Sequence, residues 1–139
     1  MNTQKKYYVE NIVKARRYLI ASIVLAVAGA VYESFSHGVY SNYMIYAFMI
    51  PLVMGSLPYL ADSRGIIKKA GPVAEALLLG SIITLSVGSV IRGVLEIYGT
   101  TNHLTVAYSI AGAAMLIAAI IVTALNMSLG RASEKSAQN

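Results

Sequence analysis

The chain contains no cysteine. Thiol redox chemistry is therefore excluded, and with it the four-helix membrane enzymes that work through paired cysteines. Charge is also scarce. Asp, Glu, Lys and Arg make up 12% of the 139 residues, about half the usual share of a soluble domain. A soluble helical bundle needs polar residues every third or fourth position on its outer face, and the apolar stretches here lack that rhythm. No Gly-rich phosphate loop, nucleophile motif or metalloprotease motif occurs, so the common short signatures of enzymatic chemistry are missing. Two connections, 36–42 and 96–103, hold neither Lys nor Arg.

What is present is blocked into four apolar runs. Tyr18–Phe35, Tyr43–Leu60, Val73–Leu95 and Leu104–Leu125 hold 18, 18, 23 and 22 residues, and about 17–25 apolar residues cross a bilayer as a helix. The sequence thus reads as an all-α membrane protein with four transmembrane helices in an up-down bundle. Residues 1–17 form a basic cytoplasmic or interfacial segment, 18–125 the transmembrane domain, and 126–139 a polar cytoplasmic tail. The net charge of +5 could suggest nucleic acid, but its placement points to a bilayer. Lys5, Lys6, Lys14, Arg16 and Arg17 precede the first run; Arg64, Lys68 and Lys69 lie between the second and third; Arg131 and Lys135 follow the fourth. Positive residues collect in cytoplasmic loops, so both termini are expected inside a plasma (inner) membrane. The same bias argues against copies inserted in both orientations. The opening also has the outline of a secretory signal, with Ala26, Val27 and Ala28 as a cleavage candidate. Its removal would break an internal repeat, so the first run is expected to persist as a span.

Local signals refine this outline. Pro51 removes a backbone donor inside the second run, and a kink is expected near 47–51. Gly71 and Pro72 suit the start of the third helix, where Glu75 complements the positive helix end. Asn42 and Asn102 are expected to cap the second and fourth helices. Small residues at four-residue spacing, such as Gly80, Thr84 and Gly88, mark faces for close helix packing.

Arg92 is the one basic residue inside an apolar run. A charge there costs about 2.5–3.5 kcal/mol on insertion scales and normally has a partner. Residues 21–37 and 80–96 align at an offset of 59, pairing Ser22 with Ser81, Gly29 with Gly88, and Glu33 with Arg92. Beyond them, Asn42 and Ala47 match Asn102 and Ala107 at an offset of 60. The chain therefore reads as two repeated helical hairpins, 18–60 and 73–125, related about an axis along the membrane normal. In that arrangement Glu33 and Arg92 pair across the axis.

The candidate site is Glu33, Arg92 and Glu96, with His37, Asn42, Asn102 and His103 around it. One reading makes it an outward-facing intramembrane charged site that binds or transports a small polar solute or ion. The other makes Glu33 and Arg92 a structural clasp in a non-catalytic accessory or homo-oligomeric subunit. Catalysis has least support, because no reactive group stands out. A four-helix membrane bundle raises the question of haem or a metal on His37 and His103. Both lie at the connections, and with only two histidines no cofactor is expected. Partners are expected to be the lipid bilayer, a small polar ligand, and a second copy or another membrane protein, with no nucleic acid.

Overall fold

The computed structural model describes residues 2–62 and 66–136. Arg64 of the basic central connection and the last three residues of the C-terminal tail lie outside them. Among the described residues the chain is all-helical and has no strand. Four rods run antiparallel in chain order: α1 (Thr3–Ser34), α2 (Asn42–Ala61), α3 (Ile66–Ile97) and α4 (Thr105–Ser136). Two ends result. The hairpin end carries the connections 35–41 and 98–104; the terminal end carries both chain ends and the central connection.

Three segments are long and apolar enough to cross a membrane: Asn42–Ala61, Ala70–Ile97 and Thr105–Ser133. α1 is not among them. Between Arg17 and Glu33 it offers only 15 uncharged residues, short of the usual crossing length. The described part of the basic N-terminal segment is helical and runs straight into the rest of α1, and residues 126–136 continue α4.

α2 is the irregular rod, and Pro51 is the reason. It has no N–H for the Ala47 carbonyl, which is reached instead by the Ile50 N–H at 3.3 Å. The Leu52 N–H makes only a long bond, 3.4 Å, to the Phe48 carbonyl. Ser22 on α1 completes that carbonyl, donating its hydroxyl at 2.8 Å. Leu52–Ser56 then forms a π-helical turn, so the irregularity expected at 47–51 extends one turn further. α3 is interrupted at Gly71 (φ 82°, ψ 168°), a conformation that glycine adopts without strain. The Ala70 carbonyl released there accepts the Asn126 side-chain amide of α4 at 2.6 Å.

The rods pack in a row. α1 lies against α2, α2 against α3, and α3 against α4; among the described residues α4 makes no extended packing with α1 or α2. The four helices of the expected up-down bundle therefore lie in an open row rather than about a common axis. The seams occur where side chains are small. A Cβ on Gly29 would sit 3.1 Å from the Met44 carbonyl oxygen, and one on Gly93 would sit 2.9 Å from the Met44 nitrogen. Met44, 4% exposed, is thus the point where α1 and α3 both close on α2. On the other side of α3, Gly88 receives Tyr108, and the Ser81 hydroxyl donates to the Gly112 carbonyl at 2.7 Å. The outer faces of α4, rich in Ile, Leu and Val, have no such partner.

Gly93→Leu should therefore force α2 and α3 apart, lowering stability by about 1–3 kcal/mol, as overpacking does. Gly130→Ala, on a helical face with nothing within 4 Å, should raise it by up to about 1 kcal/mol. Thermal unfolding of the two variants in one detergent checks both signs.

Candidate functional site

Ser41 organises the hairpin end. It is 1% exposed and precedes α2 in extended backbone (φ −119°, ψ 123°). Its carbonyl accepts the N–H groups of Met44 at 3.1 Å and Ile45 at 3.0 Å. With the carbonyl starting α2, the rest of Ser41 is free for the flanking helices. Its hydroxyl donates to Glu96 Oε2 on α3 at 2.6 Å, and its N–H donates to Glu33 Oε1 on α1 at 3.4 Å. Two carboxylates from two helices thus converge on one residue.

The direct ion pair expected between Glu33 and Arg92 is not made. Neither Glu33 nor Glu96 reaches the Arg92 guanidinium at salt-bridge distance; the ion pair among the described residues that meets this distance is Lys14–Glu75. The reason is the row arrangement. Glu33 on α1 and Arg92 on α3 are separated by the start of α2, wedged between the two helices at Met44. Arg92 lies instead over the Tyr43 ring, 4.1 Å from its centroid, within cation–π range. Tyr43 is held by its own carbonyl, which accepts the Ser89 hydroxyl at 2.7 Å.

A cavity of about 260 Å³ opens beside this arginine. Arg92 and Glu96 line it together with Thr100, Asn102, His103 and Thr105. The Asn102 side chain accepts the Leu104 N–H at 2.9 Å, and its carbonyl accepts the Thr105 N–H at 3.1 Å, so it leads into α4 as expected. Asn42 does not do the same for α2. It is exposed and is the first helical residue, while Ser41 takes the capping position without a side-chain cap. His37 is also apart from the cavity: it stands exposed in the connection at φ 54°, and its Nδ1 pairs with the Phe35 carbonyl at 2.9 Å.

The structure therefore gathers Arg92, Glu96, Asn102 and His103 around one cavity. Glu33 joins through Ser41, while Asn42 and His37 remain outside. Ser41, Tyr43 and Ser89 are the participants that sequence reasoning missed. Ser41 stands next to the expected cap at Asn42, which was its one visible signal. A second polar group at the terminal end was missed as well. Lys14 Nζ contacts both oxygens of Glu75 at 2.7 Å and sits 5.5 Å above the Tyr59 ring. Tyr59 in turn stacks on Tyr18 at 5.6 Å between centroids. Glu75 thus bridges α3 to α1, a role that the helix-start expectation did not include. Nearby, the Tyr7 hydroxyl donates to the Asp62 carboxylate.

Fold and site together define an all-helical protein with three helices long and apolar enough to cross a membrane, and a polar cavity at the hairpin end. The chain matches no protein-family model, no curated protein and no solved structure.

The geometry fixes which mutations should be coupled. Ser41→Ala and Glu96→Gln remove the two ends of one charge-assisted hydrogen bond, so their combined cost should fall short of the sum by about 1–2 kcal/mol. Glu33→Gln and Arg92→Met should add within about 0.5 kcal/mol. Two double-mutant cycles, read as unfolding free energies, make the comparison.

Proposed function

We propose that the chain is a four-span protein of the plasma membrane, with both termini cytoplasmic, that binds a small polar solute or ion at its outward-facing hairpin end. The observation that carries this reading is the Arg92 guanidinium. It has no carboxylate partner among the described residues and lines a cavity shared with Glu96. A structural clasp would have paired these charges. Arg92 has donors for an anionic group, and Glu96 keeps a second carboxylate oxygen beyond the one Ser41 contacts. A solute carrying both an acid and an amine suits that pair, and a cavity of about 260 Å³ admits a small one.

Four spans rather than three are supported by α1, which packs along every segment of α2. Tilt, or a short span with its arginines snorkelling to the interface, accommodates its 15 uncharged residues. A duplicated hairpin is supported by matching contacts. Ser22 and Ser81 each donate to a carbonyl of the returning helix, at Phe48 and Gly112. Gly29 and Gly88 each receive the residue four positions before that carbonyl, Met44 and Tyr108. These contacts relate the returning helices by 64 residues, one helical turn beyond the offset of 60.

A second reading, an accessory or homo-oligomeric subunit, is favoured by α4. Only 11% of its most apolar stretch is buried, which leaves a long face for lipid or another chain. The two readings are compatible.

Because the chain has no cysteine, single cysteines report topology without background. Tyr40→Cys should react with a membrane-impermeant maleimide on intact cells, and Asn2→Cys only after permeabilisation. Solute binding is checked by melting the detergent-extracted protein against a panel of free amino acids. At least one should raise the melting temperature of the parent, and that rise should vanish in Arg92→Met.

A further inference from the structure

A larger cavity than the one beside Arg92 lies away from the hairpin end. It is a groove of about 680 Å³ whose floor is α2, at Pro51 and Tyr59, and whose walls are α1 and α3. The Lys14–Glu75 pair and Arg17 stand at its mouth, at the terminal end. Inward, the walls become apolar, through Val24 and Leu25 on one side and Leu79 and Ile83 on the other. The lining runs from Lys14 to Leu25 on α1, eleven residues, and from Pro72 to Val87 on α3, fifteen residues, about 16 and 22 Å of helix at 1.5 Å per residue. Both fall short of a hydrocarbon core about 30 Å thick. Further on, the groove has no continuation, because α1 and α3 close on Met44 through Gly29 and Gly93.

The geometry points to an anionic phospholipid of the cytoplasmic leaflet as the occupant: its headgroup at Arg17, its acyl chain in the wedge between α1 and α3. This assignment rests on the membrane-spanning part of the proposed function and not on the solute site. Shape argues against a helix from a second copy, which would need a channel along the whole rod rather than one that stops short of Met44. Charge selects the headgroup. Glu75 neutralises Lys14, whereas Arg17 is exposed with no ion-pair partner among the described residues. The mouth therefore carries one uncompensated positive charge, with Tyr18 and Tyr59 beside it as the amphipathic rings suited to the headgroup level. Ala21 and Ala76 keep the walls low enough for a chain to enter.

The test compares phospholipid retention in the full chain, reconstituted into nanodiscs of mixed phosphatidylglycerol and phosphatidylcholine and then extracted in mild detergent. Co-purified lipid is counted by mass spectrometry of the organic extract. The parent should retain phosphatidylglycerol over phosphatidylcholine. Arg17→Gln should reduce that preference about fivefold, the worth of one basic residue near an anionic headgroup. Ala76→Phe, which blocks the wedge and leaves every charge in place, should lose retention of both lipids while keeping the helical circular dichroism of the parent. Equal retention of the two lipids by the parent overturns the proposal, as does unchanged retention in either variant. Loss of a dimer in Ala76→Phe, with no lipid in the parent, would make a second copy the occupant and overturn it too. Recovery of the parent chain in the soluble fraction of cells would instead remove the membrane reading, which an integral protein without lipid preference would leave intact.

Discussion

Met44 is the point on which the rest of the structure depends. Two helices approach the backbone of α2 there, one through Gly29 and one through Gly93, where a Cβ would sit 3.1 Å and 2.9 Å from Met44 backbone atoms. Between apolar helices in lipid, burial of hydrocarbon gives no net drive to associate, and close backbone packing with interhelical hydrogen bonds must hold the assembly. Both devices are used here. The Ser22 and Ser81 hydroxyls tie each returning helix by a carbonyl, and glycines set the spacing. The outer faces of α4, where large Ile, Leu and Val side chains stand among the alanines, carry no packed helix among the described residues.

The same junction determines both ends of the molecule. At the hairpin end it inserts the start of α2 between α1 and α3, so Glu33 and Arg92 cannot meet and Ser41 takes up the carboxylates instead. Arg92 is then left to a tyrosine ring and an open cavity. A guanidinium over an aromatic face gains about 0.5–2 kcal/mol, less than a carboxylate would supply in a low-dielectric setting. At the terminal end, α1 and α3 are joined by side chains long enough to reach across, Lys14 and Glu75, and the space between them becomes the groove.

Much of the architecture was legible because it follows from local composition. Apolar run length placed α2, α3 and α4, and the Gly71–Pro72 pair marked the start of the long part of α3. Pro51 announced the break in α2, whereas the π-helical turn at Leu52–Ser56 and the Ser22 hydroxyl on the Phe48 carbonyl had no signal in the sequence. Asn102 was legible as a cap, whereas Asn42 was not, because Ser41 sits one residue earlier in a buried position. The site was legible as residues and not as pairings. Arg92 stood out as the one basic residue in an apolar run, and Glu33 followed from the offset of 59. That offset relates positions within helices; it does not report which helix stands between them. Lys14–Glu75 and Tyr18–Tyr59 were invisible for the same reason, since their contacts span distant segments and depend on the order of rods in the row.

If the hairpin end is an open site for a small solute rather than a closed clasp, that solute should stay with the purified chain. Native mass spectrometry of the detergent-extracted protein tests it most directly, because bound small molecules and copy number are read from the same spectrum. The parent chain should carry a small polar adduct that is absent from Arg92→Met, with copy number unchanged between the two. A parent chain free of any small adduct, or one carrying the same adduct as Arg92→Met, would contradict it.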